Sequence, residues 1–177
     1  MTKRDKGKLM RSKRDFYQTP PDAVMPLVDH LGWPCTYVEP CAGNGALIDA
    51  LAYHDYDCEA AFDIDPKSEY ISKMDARGIN LLSGQTVITN PPWSRPILHE
   101  LINTFSSQCE TWLLFDADWM HTKQAAPYLK YCHTIISVGR CKWIPGSKHV
   151  GFDNAAWYLF DQQAEYNGTM FFGKDTE

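Results

Sequence analysis

Short apolar segments that each end in an acidic or amide residue alternate with helical stretches along the first two thirds of the chain. Such alternation is typical of a parallel sheet with helices on its faces. We therefore predict an α/β fold, in which ligands bind beyond the carboxyl ends of the strands. The predicted strands are residues 36–38, 60–62, 86–89 and 111–115, ending at Glu39, Asp63, Asn90 and Asp116, and the predicted helices are residues 46–52 and 96–105.

A further helix is predicted before the first strand. Thr19-Pro20-Pro21-Asp22 offers a helix start, and apolar residues at helical spacing continue until Gly32. A helix N-terminus with the Thr19 hydroxyl suits a carboxylate ligand. A role for Thr19 as an N-cap alone would explain the same residues.

The last third of the chain changes character. Residues 134–138 and 155–160 are strand-like, and the segment between them lacks helical periodicity. We expect these two strands to form an antiparallel pair that closes the sheet. A chain of 177 residues, 44% of them hydrophobic, is about the size of one domain, which we predict over residues 15–177.

Basic residues are concentrated at the N-terminus. Residues 1–14 carry seven basic residues and one acidic residue, whereas the other 163 residues carry ten basic and 21 acidic ones. We predict that residues 1–14 form a disordered basic arm. Two interpretations remain open, a tail that binds nucleic-acid phosphates and a solvated tail that aids solubility. The first assigns contacts to Lys3, Arg4, Arg11, Lys13 and Arg14.

The sequence disfavours membrane, secreted and metal-binding classes. No apolar run approaches the roughly 20 residues that span a bilayer, and the basic N-terminus does not lead into a hydrophobic signal region. The six cysteines are scattered, without a Cys-x-x-Cys pair or histidines at zinc-ligand spacing. We expect a soluble, cytoplasmic protein with reduced thiols, no membrane partner and no metal site.

A glycine loop links the first predicted strand to the helix at residues 46–52. Gly43 and Gly45 follow Glu39, and glycine lets the backbone turn tightly and approach a ligand closely. The carboxylate, the two glycines and the helix together favour cofactor binding over an ordinary turn. About 20 residues further on, Asp63 ends the second strand, where a carboxylate can accept hydrogen bonds from both ribose hydroxyls of a nucleoside. Alternatively, Asp63 and Asp65 belong to a solvated surface turn.

Asn90-Pro91-Pro92-Trp93 follows the next strand and carries the most specific chemistry. An aromatic amine is a poor nucleophile because its lone pair is delocalised into the ring. The Asn90 side-chain oxygen and the Pro91 carbonyl can each accept one amino hydrogen, which favours a pyramidal nitrogen. Trp93 offers a face on which a flipped base stacks, and the two prolines keep the loop rigid. The position at a strand end disfavours the alternative of a proline-rich turn without chemistry.

These motifs, in this order, resemble those of the amino-methyltransferases that modify adenine N6 or cytosine N4 in DNA. The likeness is greatest to small phage-type adenine methyltransferases that begin Asp-Phe-Tyr-x-Thr-Pro, here residues 15–20, and it extends to about residue 160. It implies a class I (Rossmann-like) methyltransferase fold with S-adenosylmethionine (SAM) as methyl donor. It also implies a cofactor site of Tyr17, Thr19, Pro20, Glu39, Cys41, Gly43, Gly45, Asp63 and Ile64, and a catalytic site of Asn90, Pro91, Pro92 and Trp93.

The chain departs from the family pattern in two places. The family often has an acidic residue near the third strand that binds the adenine amine of SAM, and Asn80 stands at the matching position here. The second departure is that 177 residues leave no room for a separate target-recognition domain. Sequence discrimination is then weak, or it falls to the basic arm, to a partner protein, or to a late loop in which Arg140, Lys142, Trp143 and Lys148 are the candidate nucleic-acid contacts. A core tryptophan at a strand end is the alternative interpretation of Trp143.

Methylation of adenine N6 in DNA is the function that the resemblance favours. Cytosine N4, an RNA base and a protein glutamine amide remain alternatives, because Asn-Pro-Pro-aromatic motifs serve all of these planar nitrogens. A hypothesis of another class is an inactive SAM-binding module that supports a catalytic partner on nucleic acid. The intact motif at residues 90–93 argues against this last hypothesis.

Overall fold

A sheet of eight strands forms the centre of the protein. In the structure, a computed structural model, residues 17–32, 36–82 and 84–174 are described. The strands are β1 (Thr36–Glu39), β2 (Asp57–Asp63), β3 (Ser72–Lys73), β4 (Val87–Thr89), β5 (Thr111–Asp116), β6 (Cys132–Arg140), β7 (Asn154–Phe160) and β8 (Met170–Phe172). They are arranged in the order β3-β2-β1-β4-β5-β7-β6-β8.

Four α-helices accompany the strands within the described residues. They are α1 (Pro21–Val28), α2 (Ala46–Ala52), α3 (Arg95–Ser106) and α4 (Ala126–Leu129), with 3-10 turns at Ala76–Gly78 and Ala117–His121. Proline stands in the first turn of α1 and of α3, where its missing N–H costs nothing. The N-cap of α2 is Gly45, in a left-handed conformation that glycine adopts without strain.

Apolar side chains on both faces of the sheet form two cores. Along β5, Trp112 and Leu114 belong to the core that contains α1 and α2, whereas Leu113 and Phe115 belong to the core under α3. This division follows from the two-residue period of a strand, and a strand covered on both faces is apolar throughout. Trp157 on β7 donates a hydrogen bond to the Ala23 carbonyl at 2.7 Å, which fastens α1 to the sheet.

The order in which successive strands are added to the sheet reverses between β1 and β4. These two strands lie side by side and parallel, with β2 beyond β1 and β5 beyond β4. The loops after β1 and β4 therefore leave toward opposite sides and open a crevice at their carboxyl ends.

The predicted fold class is confirmed: the sheet is mostly parallel, and β7 runs antiparallel to both β5 and β6. The sequence prediction omitted α4 and two edge strands. β3 has only two residues, both exposed, and β8 has three exposed residues that pair with β6 in parallel. Neither strand carries the apolar alternation of a half-buried strand, so the periodicity of the sequence does not mark it. None of the helices in the described ranges has the length and apolar character needed to cross a bilayer.

Candidate active site

A cavity of about 640 Å3 opens at the carboxyl ends of β1, β2 and β4. Its walls come from residues 17–19, the loop after β1, the turn after β2, the 3-10 turn after β3, and the loop that leads into α3. Most of the predicted site residues meet here although they are far apart in sequence. Those that line the cavity are Tyr17, Thr19, Glu39, Cys41, Gly43, Asp63, Ile64, Asn90 and Pro92.

Five of the predicted cofactor and catalytic residues do not line this cavity. Pro20 and Gly45 are the N-caps of α1 and α2 and lie next in sequence to the lining residues Thr19 and Ala46. Pro91 is buried, and Trp93 is half-buried beside Asn90. Asn80 is exposed, because the chain leaves the cavity after the 3-10 turn at Ala76–Gly78.

The glycine loop turns sharply at two left-handed residues. Gly43 and Gly45 have φ values of 57° and 89°, which residues with a Cβ rarely adopt. A Cβ at Gly45 would also overlap the hydroxyl of Tyr70. The loop is fastened to β2 by a hydrogen bond from the Ala42 N–H to the Phe62 carbonyl at 2.8 Å. Its conformation therefore favours glycine at Gly45 because of the backbone angle, whereas the exposed Tyr70 side chain can move aside.

Asp63 uses its side chain to organise two loops. One carboxylate oxygen, Oδ2, accepts a hydrogen bond from the Gly43 N–H at 2.8 Å, and the other, Oδ1, accepts one from the Asp65 N–H at 2.7 Å. Each oxygen keeps a further lone pair, and the carboxylate lines the cavity. Asp63 is therefore a structural part of the cavity wall and remains able to accept hydrogen bonds from a ligand.

Glu39 is a buried carboxylate at the end of β1. Only 1% of its surface is exposed, and its Oε2 atom has no hydrogen-bond partner among the described residues. Burial raises the pKa of Glu39 well above its usual value, and Asp63 and Asp49 raise it further. Burial likewise raises the pKa of Cys41, with Asp63 and Glu39 adding to the effect, so the thiol is neutral. An unpaired acidic group in a cavity wall suits a ligand that brings a positive charge or a hydrogen-bond donor.

Glu39→Gln is expected to raise the unfolding free energy of the ligand-free protein relative to the wild type, and this gain should grow as the pH rises. A carboxyl whose folded pKa is raised holds its proton more tightly in the folded state, so ionising it above the unfolded pKa destabilises the fold. The variant cannot ionise, and its unfolding free energy should exceed that of the wild type more at pH 8 than at pH 5. Urea unfolding at both pH values measures this.

Glu59→Gln is the matched control for this prediction. Hydrogen bonds from Thr36 and Gln85 lower the pKa of Glu59, so its replacement removes a favourable ionisation and should give no gain. An equal advantage of Glu39→Gln at both pH values would show that ionised Glu39 is not the cause.

The 3-10 turn after β3 and its N-cap supply three cavity residues that the sequence analysis missed, Asp75, Ala76 and Arg77. Asp75 accepts hydrogen bonds from the Arg77 N–H and Nε at 3.0 and 2.9 Å, and from its Nη2 at 2.6 Å. These hydrogen bonds lower the pKa of Asp75 to about 2. An ionised carboxylate thus stands in the cavity on the side where the resemblance had assigned Asn80. The available sequence signal was the acidic residue that follows Ile71-Ser72-Lys73-Met74.

Two hydrogen bonds hold the side-chain amide of Asn90. Its Nδ2 donates to the Thr19 hydroxyl oxygen, and its Oδ1 accepts from Trp93 Nε1, both at 3.2 Å. Thr19 is 5% exposed and makes no side-chain cap to α1, whose N-cap is Pro20. The Thr19 hydroxyl therefore supports the neighbouring loop rather than its own helix.

Aromatic rings gather beside Asn90. Trp93 and Trp143 meet edge to face with centroids 5.5 Å apart, and Tyr17 lies 6.4 Å from Trp143. Trp143 belongs to the loop between β6 and β7, and Gly151 packs against its ring so closely that a Cβ there would reach within 2.9 Å of it. We call these three residues the aromatic cluster. It joins the late loop to the Asn90 loop.

The predicted nucleic-acid contacts of the late loop are exposed. Arg140, Lys142 and Lys148 are all on the surface, and Trp143 is half-buried. The other predicted contacts lie outside the described residues: Lys3, Arg4, Arg11, Lys13 and Arg14.

Comparison with known proteins gives matches in structure alone. No sequence-family profile and no curated protein sequence matches the chain. A proposed class I SAM-dependent methyltransferase from Listeria monocytogenes superposes with a TM-score of 0.59 at 10% identity, over 98% of this chain and 69% of its own. The modification subunit of a proposed type I restriction enzyme from Vibrio vulnificus gives a TM-score of 0.57 at 11% identity, over 98% of this chain and 49% of its own.

A third similar structure is close to this chain in size. A proposed RNA methyltransferase from Pyrococcus horikoshii gives a TM-score of 0.57 at 16% identity, over 87% of this chain and 91% of its own. These likenesses define the class: the chain has the α/β, Rossmann-like fold of class I SAM-dependent methyltransferases. They also support SAM as the cofactor of this fold. The chain spans about half the length of the restriction-enzyme subunit.

Proposed function

We propose that this protein transfers a methyl group from SAM to an exocyclic amino nitrogen, N6 of adenine in DNA. The observation that carries the proposal is the Asn90 amide, held by two hydrogen bonds in the wall of a cavity. That cavity lies where class I methyltransferase folds, like other open α/β sheets, place their ligands. An acceptor fixed in this way suits a substrate that must present an amine.

The cavity walls have groups that suit each part of SAM. In the proposed complex, Asp63 accepts hydrogen bonds from the ribose and Ile64, which is half exposed, packs against the adenine. Asp75 accepts the hydrogen bond of the adenine amine, in place of Asn80. Glu39, whose Oε2 has no partner among the described residues, attracts the amino group of the methionine end. Tyr17 and Thr19 complete that end of the cavity.

In this reaction the residues of the chain set the geometry of the nitrogen in the target amine. The oxygen of Asn90 and the carbonyl of Pro91 each accept one amino hydrogen, which turns the nitrogen lone pair toward the methyl group. The nitrogen–carbon bond then forms as the carbon–sulfur bond breaks, and the electron pair of that bond neutralises the sulfonium. The methylated nitrogen, now positively charged, releases its extra proton to water. No strong base is required.

The aromatic cluster and the exposed cations favour a nucleic-acid target. A flipped base needs a flat apolar surface, and stacking on an aromatic side chain contributes about 1–3 kcal/mol. Trp93 provides such a surface beside Asn90, and Trp143 stands at right angles to it. Cations at Arg140, Lys142 and Lys148 suit backbone phosphates. We place sequence discrimination in this loop, in the basic arm, or in a partner protein.

The function is tested by following the methyl group. The purified chain is incubated with methyl-labelled SAM and DNA or RNA of mixed sequence, and the nucleic acid is digested to nucleosides. Label in N6-methyldeoxyadenosine is the expected result. Label in RNA, in N4-methyldeoxycytidine or in protein would replace the proposed substrate, and an absence of label everywhere would contradict the proposed activity.

Deleting residues 1–14 is expected to weaken DNA binding and to flatten its dependence on salt, while SAM affinity is unchanged. Each lysine or arginine bound to a phosphate steepens the logarithmic salt dependence by about 0.9 for duplex DNA, and the segment carries seven such residues. Fluorescence anisotropy at several salt concentrations measures this. A variant with the seven residues changed to glutamine controls for chain length. Unchanged affinity at low salt would identify the arm as a solubility tail.

A further inference from the structure

The two hydrogen bonds of Asn90 determine which end of its amide faces which neighbour. The indole N–H of Trp93 is a donor only, so the atom it meets at 3.2 Å must be the oxygen of Asn90. The Nδ2 group consequently faces Thr19, whose hydroxyl oxygen accepts from it at 3.2 Å. With the amide flipped, two donors would meet at Trp93.

The Thr19 hydroxyl is well placed to keep this orientation. Thr19 is 5% exposed, and Pro20, which follows it directly, restricts its backbone. With its oxygen accepting from Asn90, the hydroxyl still has its own proton to donate, and Thr19 lines the cavity. One hydroxyl thus stands between the catalytic amide and the space for the cofactor.

We propose that Thr19 is a positioning residue that holds the Asn90 amide with its oxygen toward the target amine. This inference rests on the proposed function. Without the hydroxyl, Nδ2 has lost its acceptor, and only the Trp93 N–H still opposes rotation of the amide, so turned amides become more frequent. A turned amide presents N–H groups to the amine, which also carries N–H groups, and the two repel. Thr19 acts through Asn90 and does not touch the reacting atoms.

The kinetic test compares Thr19→Val, which keeps the shape but removes the hydroxyl, with Thr19→Ser, which retains it. At saturating SAM, Thr19→Val should lower kcat about tenfold, the size of one hydrogen bond of ordinary strength, while Thr19→Ser stays within about twofold of the wild type. Thr36→Val removes a hydroxyl that bonds Glu59 at 2.7 Å, away from the cavity, and should leave kcat unchanged. A loss confined to SAM affinity, or no rescue by serine, would overturn the proposal.

A spectroscopic test needs no activity. In a nitrogen-15 NMR spectrum the indole N–H of Trp93, assigned as the signal that disappears in Trp93→Phe, reports the atom it meets on Asn90. This signal should shift in Thr19→Val, and also in Thr19→Ala if valine prevents folding, and it should stay in place in Thr19→Ser and Thr36→Val. An unmoved signal in folded Thr19→Val or Thr19→Ala would overturn the inference. If the wild-type protein transfers no methyl group but the signal still shifts in Thr19→Val, the proposed function is contradicted. The effect of Thr19 on the orientation of Asn90 then still stands.

Discussion

Asn90→Ala is expected to reduce kcat for methyl transfer by about 100-fold or more while SAM affinity stays nearly unchanged. Removing one well-placed hydrogen-bonding group from an active site costs a factor of this order. The Asn90 oxygen would act on the target amine in the transition state, and the proposed SAM contacts come from other residues. Single-turnover methylation with saturating SAM measures the rate, and isothermal titration measures the affinity.

Asn103→Ala is the matched control for this variant. Asn103 is exposed on α3, so its replacement removes an amide from the surface without touching the cavity. It should retain the wild-type rate. A rate for Asn90→Ala within a few-fold of that control would contradict the catalytic role of the amide, and an equal loss of SAM affinity would show that Asn90 supports the cofactor instead.

Asp63→Ala is expected to weaken SAM binding by about 100-fold or more. Its carboxylate accepts the Gly43 and Asp65 N–H groups at 2.8 and 2.7 Å, and hydrogen bonds to a charged acceptor contribute about 1.5–3 kcal/mol each. Their loss frees the glycine loop and also removes the proposed acceptor for the ribose. Asp63→Asn should be nearly as severe, because its NH2 group would face one of the two backbone N–H donors. Titration with SAM gives the affinities.

Asp57→Ala controls for the loss of an acidic residue from the same strand. Asp57 is exposed at the opposite end of β2 from Asp63. It should bind SAM as the wild type does, and circular dichroism should show that both variants are folded. Wild-type affinity in folded Asp63→Ala would remove Asp63 from the cofactor site.

The sequence was sufficient to predict the middle of the sheet. Strands β1 and β5 end in an acidic residue and β4 is followed by Asn90, after short apolar runs, so hydrophobicity marks both the strand and the end that faces ligands. The helix predicted at residues 46–52 is α2, because the glycine loop marks its start. These features depend on residues that are neighbours in the chain, so a single sequence is enough to recognise them.

The missed parts of the cavity depend on contacts between distant residues. Asp75 follows β3, a two-residue exposed strand that hydrophobicity cannot reveal, whereas Asn80 precedes an apolar pair and resembled the family pattern. The hydrogen bond between Thr19 and Asn90 joins residues 71 positions apart. The sequence indicated that each of these two residues belongs to the site, but nothing in it specified that they touch.

The acidic character of the cavity bears on how the protein would exchange its ligands. Glu39, Asp63 and Asp75 all line the cavity that we assign to the methyl donor. In the proposed reaction the donor has a net positive charge, and the spent cofactor loses that charge together with its methyl group. Carboxylates attract a cation more strongly than a neutral molecule. The same walls should therefore favour fresh donor over spent cofactor in competition, so that product inhibition becomes weaker as Glu39, whose pKa is raised by burial, becomes more fully ionised.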